Sequence, residues 1–182
     1  MALCGIDEAG RGPLAGSLVI AGVILHEPIT GLNDSKKLTA KQRERLYEHI
    51  ITCSTYHRVT FSAQTIDANG ISYCLREGLL EIMATLSCER YLFDGNSSFG
   101  VSGVETQIKA DASIAEVSAA SIIAKVTRDR EMAAFAQHYP DYGFERHKGY
   151  GTALHIQKIK EHGYCDIHRR SFRLKALEAT LF

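Results

Sequence analysis

The longest unbroken apolar run in the chain is "LVIAGVIL", residues 18–25, bounded by Gly16-Ser17 before it and His26-Glu27-Pro28 after it. Eight residues fall far short of the roughly 20 needed to span a bilayer, so the run reads as a buried strand. With the apolar residues of 2–7 it predicts an antiparallel pair, 2–7 and 17–25, joined by a glycine-containing turn. "LTAKQRERLYEHIIT" opens with Thr39 and Gln42 in capping-box spacing, which predicts a helix, and "STYHRVTFSA" then reads as a third strand. A longer helix is predicted over about 70–88 in spite of Gly78, followed by short strands in "RYLFDGN", ending at Asp94, and "VETQIKAD", ending near Asp111. In "SIAEVSAASIIAKVTRDREMAAFAQHY", Ile114, Val117, Ser121, Ile122, Val126, Met132 and Phe135 recur at helical spacing among alanines and serines small enough for close packing on a sheet. Two further helices are expected over 151–162 and 171–180. The pattern predicts one α/β domain over 1–182, with about 145–182 as a helical C-terminal extension.

Composition adds limits. A chain of 182 residues buries enough surface to fold without disulfides. The five cysteines are odd in number with no CxxC spacing, and the N-terminus lacks the basic start and apolar stretch of a signal peptide. Reduced thiols in a cytoplasmic protein are expected, not zinc ligands. Formal net charge is zero, but Glu145 to Lys175 carries eight Lys/Arg against three Asp/Glu and four of the eight histidines. Such asymmetry predicts either a basic surface for a polyanion or a solvated helix face.

The chemistry concentrates where strands end. "GIDEAGRGPLAG" sets Asp7 beside Glu8 ahead of a glycine-rich turn. Neighbours on a regular strand face opposite sides, so the two are expected to share a site only where the strand is ending. If Asp94 and Asp111 end adjacent strands, four carboxylates meet at one sheet edge, and their repulsion calls for a hard cation such as Mg²⁺. For Asp111 alone, a helix cap is the competing reading.

"GIDEAGRGPLAG", "NDSKKL", "FDGN", "IKADA" with "SAASIIAKVTRDR", and "HKGYGT" followed by "HRRSF" occur in that order from residue 4 to about 173. Together they resemble bacterial ribonuclease HII. The resemblance implies a ribonuclease H-like mixed sheet flanked by helices with a small C-terminal helical cap. It implies a metal-dependent endoribonuclease that hydrolyses the RNA strand of RNA/DNA hybrids and cuts 5′ of single ribonucleotides in duplex DNA, leaving 3′-hydroxyl and 5′-phosphate ends. Asp7, Glu8, Asp94 and Asp111 match the family's carboxylates for two Mg²⁺ or Mn²⁺ ions. Gly10, Arg11 and Gly12 match the turn that reads the ribose 2′-hydroxyl, with glycine allowing close approach to the sugar. Tyr150 matches the tyrosine that stacks on the following deoxyribose, and Asn33, Ser35, Lys36 and Lys37 match a backbone-contacting loop. Arg169 and Arg170 are candidates for phosphate contacts or for salt bridges between cap and core. Ala110 departs from the family's usual glycine, and Asp129 is expected to be a structural partner of nearby arginines. No N-terminal extension of the ribonuclease HIII kind is expected. The terminal "ALEATLF" reads as helix packing rather than a sliding-clamp peptide, and a monomer is expected. The alternative of another class is a non-catalytic module that binds RNA/DNA hybrids.

Overall fold

Residues 18–25 are apolar throughout because both faces of the strand they form are covered. The computed structural model describes residues 2–32, 38–174 and 177. In it β2 (Leu18–Leu25) lies between β1 (Leu3–Ala9) and β3 (Ser54–Phe61), antiparallel to both. Leu18 and Ile20 pack on one face with Leu75, Leu79 and Ile82 of α3 (Ile71–Thr85). Val19, Ala21 and Val23 pack on the other with Tyr47 and Ile50 of α1 (Ala40–Cys53) and with Ala120 and Ile123 of α4 (Ala115–His138). The full sheet order is β3-β2-β1-β4-β5, where β4 (Arg90–Asp94) and β5 (Val104–Gln107) are parallel to β1 and to each other. This is the mixed, helix-flanked sheet the pattern implies.

Local chemistry explains the elements that were expected. Thr39 and Gln42 complete a reciprocal capping box at the start of α1. Gly78 does not interrupt α3 because its bare Cα seats against Ile20; an added Cβ would collide with that side chain. Gly5 likewise lets α4 approach β1 until a Cβ would meet the backbone of Glu116 and Val117. Residues 63–69, between β3 and α3, form an unexpected helix, α2 (Ala63–Asn69), capped by Ser62.

The expected strand in "VETQIKAD" stops at Gln107. Lys109 adopts a left-handed conformation (φ 60°, ψ 35°), and Ala110–Ala112 forms a 3₁₀ turn that carries Asp111. The strained residue is Lys109; Ala110 has no positive φ and is fully buried beside Leu92 and Val117, so alanine fits there.

Beyond α4 come a 3₁₀ turn at Pro140–Tyr142, α5 (Phe144–His147) and α6 (Ala153–His162). Tyr142, Phe144 and Ile167 join Ala15 and Met132 in a small cluster of their own. Of the helix expected over 171–180, residues 171–174 are not helical, and 175, 176 and 178–180 lie outside the described residues. No helix among the described residues is long and apolar enough to cross a membrane.

Candidate active site

Parallel pairing of β1 with β4 brings two carboxylates together. Ile6 pairs with Phe93, and the next residues, Asp7 and Asp94, stand at the same sheet edge. The 3₁₀ turn adds Asp111, and one carboxylate oxygen from each of the three lies within 4.8 Å of the others. The Asp111 amide also faces Asp94 Oδ2 at 3.5 Å.

Glu8 reaches the site by a different route from the one expected. β1 does not end at the acid pair: Asp7, Glu8 and Ala9 all remain in register with β2. It is β4 that stops, at Asp94, leaving no strand beside Glu8 on that side. Glu8 therefore lines the same cleft of about 430 Å³ as Asp7 and Asp94, although it stands outside the three-aspartate cluster.

The electrostatics are those of a site built against its own repulsion. Burial pushes the Asp7 carboxyl well above its ordinary range, and the Glu8 and Asp94 charges add to the shift against hydrogen bonds from Ser121 and the Glu8 amide. Glu8 is also raised by burial, with Arg11 opposing, and Asp94 by burial and then by Asp111. Glu8 Oε1 lies 3.6 Å from the Arg11 guanidinium, but Oε2 is buried with no hydrogen-bond partner. An orphaned carboxylate oxygen beside three converging aspartates is a donor set of oxygens only, which suits Mg²⁺ or Mn²⁺.

The glycine turn forms the wall. Gly10 has φ +93°, and a Cβ there would run into Arg128 and the Ser17 carbonyl, so the fold itself requires glycine at this position. Gly12 has open space where a Cβ would stand. The amides of Arg11 and Gly12 have no hydrogen-bond partner among the described residues.

Behind this wall sit two guanidinium groups. Arg169 is 1% exposed and cannot reach a phosphate. Nor does it bridge to a carboxylate: it donates to the carbonyls of Gly10, Arg11, Gly16 and Ser17 at 2.6–3.2 Å. Burial, reinforced by the neighbouring Arg128 charge, lowers its pKa to about 10. Arg128, equally buried, donates to Ala15, Ser17 and Lys148 carbonyls. Arg170 is exposed and lies away from the cleft, its amide donating to Asp67.

Tyr150 lines the cleft, 41% exposed, with the Arg128 guanidinium 5.5 Å and Lys125 Nζ 6.0 Å from its ring centre. A line of buried histidines holds its loop. The Cys165 amide donates to His168 Nδ1 at 2.9 Å, His168 and His155 meet through their Nε2 atoms at 3.0 Å, and His155 Nδ1 contacts the Tyr150 carbonyl at 2.9 Å. Only one set of neutral tautomers satisfies this line: His168 donates from Nε2, His155 accepts at Nε2 and donates from Nδ1 to Tyr150. Burial lowers both pKa values to about 4. His147 stacks on His155 and accepts from the Gly149 amide. Arg169 and three of the four histidines of the basic extension are thus internal, whereas Arg146, Lys160, Arg170 and Arg173 remain exposed.

Asn33, Ser35, Lys36 and Lys37 lie outside the described residues. Asp129 pairs with Lys125 at 2.8 Å instead of with an arginine. Arg43, Ser121 and Lys125 also line the cleft. The last two were visible in the sequence as a polar i, i+4 stripe on an otherwise small, apolar helix face.

The family model described as Ribonuclease HII matches residues 4–175. The protein named Ribonuclease HII from Sulfurovum sp. (strain NBC37-1) is 61% identical over 181 residues, spanning 99% of this chain and 96% of its own. That from Aliarcobacter butzleri (strain RM4018) is 57% identical over 177 residues, spanning 96% and 92%. Among solved structures, one of the PCNA:RNase HII complex from Archaeoglobus fulgidus matches with a TM-score of 0.83 at 30% identity, covering 96% of each chain.

Proposed function

Because the chain belongs to the ribonuclease HII family and is thereby an endoribonuclease, we propose that it hydrolyses the RNA strand of RNA/DNA hybrids and nicks duplex DNA on the 5′ side of single embedded ribonucleotides. The observation that carries this reading is the convergence of Asp7, Asp94 and Asp111 beside a cleft lined by Asp7, Asp94 and the Gly10–Gly12 turn, where the Arg11 and Gly12 amides have no hydrogen-bond partner among the described residues. Asp7, Glu8, Asp94 and Asp111 would hold divalent ions, Mg²⁺ or Mn²⁺. A pair of such ions lowers the pKa of a bound water and stabilises charge on the attacking and leaving oxygens of a phosphodiester displacement.

This chain's own residues supply position and selectivity. The Arg11 and Gly12 amides, which have no partner among the described residues, would donate to a ribose 2′-hydroxyl, the group that separates RNA from DNA. Arg169 and Arg128 turn the loop's carbonyls inward, fixing which way the wall presents itself to a nucleic acid. Tyr150 offers an exposed ring for the sugar that follows. Water forms a bond to phosphorus as the bond from phosphorus to the preceding 3′-oxygen breaks and that oxygen takes a proton, leaving 3′-hydroxyl and 5′-phosphate ends. Asn33, Ser35, Lys36 and Lys37 contact the backbone of the duplex in this reading.

The test is an end-labelled DNA duplex with one ribonucleotide, beside an all-DNA duplex, each with Mg²⁺, Mn²⁺ or EDTA. A single metal-dependent cut 5′ of the ribonucleotide, with the all-DNA control intact, is expected. Folded protein that binds the duplex and cuts neither a single ribonucleotide nor a long hybrid would turn the assignment toward a binding module.

A further inference from the structure

Glu27, just after β2, and His49 and Cys53, late in α1, make up a second group of ligating atoms that shares no residue with the cleft. One carboxylate oxygen, one imidazole nitrogen and Cys53 Sγ lie within 4.8 Å of one another. We propose that these three residues form a Zn²⁺ site, with a fourth position left for water.

One helix and the bend after β2 hold the three ligands. His49 and Cys53 stand one turn apart on α1, so helical geometry places both side chains on one face. Glu27 follows β2, and two contacts fix the chain around it: the His26 amide donates to the Cys53 carbonyl at 3.2 Å, and buried Ile29 packs in the same cluster as buried Ile50. The backbone is therefore held on both sides of Glu27, and the site would form with little backbone ordering.

The donor set separates this site from the active-site cleft. Oxygen ligands alone suit the hard ions Mg²⁺ and Mn²⁺, whereas a thiolate, an imidazole and one carboxylate suit Zn²⁺. Binding would release the thiol proton to solvent as the sulfur–metal bond forms, and the ion would offset the charges of the thiolate and the carboxylate. The sequence carries the signal as His-x₃-Cys late in a helix, and cysteine spacing alone misses it because the third ligand lies 22 residues before His49. The bound ion would clamp the chain leaving β2 to the last turn of α1, the helix whose first turns bring Arg43 to the cleft.

The experiment is a titration of the reduced full-length protein with Co²⁺ in excess Mg²⁺, followed by displacement with Zn²⁺. One equivalent of thiolate-to-Co²⁺ charge-transfer absorption is expected, lost on adding Zn²⁺, and one equivalent of Zn²⁺ should survive desalting. Cys53→Ser should abolish the band, and His49→Ala should weaken binding at least tenfold. Asp94→Asn should leave both the band and its stoichiometry unchanged. Each variant is checked for wild-type circular dichroism, since Glu27 and His49 are exposed and Cys53 is half-buried. No thiolate band in the folded wild type, or a band that persists in Cys53→Ser, would overturn the site.

Discussion

The floor of the cleft and the bracket behind its glycine wall are built by opposite rules. On the floor, Asp7, Glu8 and Asp94 are crowded until burial and mutual charge push their carboxyl groups upward, and Glu8 Oε2 is left without a partner. In the bracket, the buried Arg169 and Arg128 direct seven hydrogen bonds at backbone carbonyls, and the buried histidines form a line whose tautomers are mutually consistent. One region keeps polar groups unsatisfied because a ligand is meant to satisfy them. The other satisfies every group because it has to hold the first in shape. Unmet polarity marks where chemistry enters, and met polarity marks what positions it.

The contrast breaks first on the floor. Asp94→Asn should slow cleavage by about 10³-fold, equivalent to about 4 kcal/mol of transition-state stabilisation. Hybrid binding should survive, because the bracket is untouched. Gel-based cleavage rates beside binding isotherms check both, and near-normal turnover would remove Asp94 from the reaction.

In the bracket the effect should fall on folding instead. Arg169→Met leaves the inward carbonyls of Gly10, Arg11 and Gly16 without their donor, while Ser17 keeps Arg128, a loss of about 3 kcal/mol of stability. Urea denaturation measures it; a loss below about 0.5 kcal/mol, as for an ordinary surface change, would mean the loop does not depend on the bracket.

The histidine line sharpens the comparison through pH. Unfolded, His155 and His168 take up protons near 6.5; folded, they resist until about 4. Their contribution is fully present above pH 6.5. It is lost as pH falls from 6.5 toward 4, because over that window the unfolded chain binds protons the folded one does not. About 2–3 kcal/mol should disappear, partly offset by Asp7 and Asp94, whose raised carboxyl groups favour the folded state as pH falls. Denaturation midpoints in an Asp94→Asn background at pH 7 and pH 5 read the histidine part with one opposing group removed. A flat profile would place those imidazoles in solvent.

The smallest effect belongs where the two regions meet. Tyr150→Ala keeps the backbone carbonyl that receives His155 and removes only the ring over the cleft. Cleavage at a lone ribonucleotide should fall about tenfold, or about 1.4 kcal/mol, and cleavage of a long hybrid by less. Equal losses on both substrates would make the ring a packing element.

What could be read from the sequence divides along the same line. The β1/β2 pair, the capping box at Thr39 and the long helix with its small residues follow from local pattern, and the structure contains them. The convergence of Asp7, Asp94 and Asp111 was also expected, but the way it is reached was not. Asp111 rides on a 3₁₀ turn set by a left-handed Lys109, and Glu8 enters because a neighbouring strand stops. Neither event leaves a mark in hydrophobic periodicity. The role of Arg169 was hidden for a different reason: its carbonyl partners lie 152–159 residues earlier in the chain. A count of basic residues sees its charge but not its burial.

The central claim is that the floor is destabilised by its own charges until cations occupy it. The most direct test is the thermal midpoint of the wild type and of Asp94→Asn, each measured in EDTA and in excess Mn²⁺. In EDTA the Asp94→Asn protein should melt above the wild type. Mn²⁺ should raise the wild type and move the variant little. A variant that melts below the wild type in EDTA and gains as much from Mn²⁺ would contradict the account.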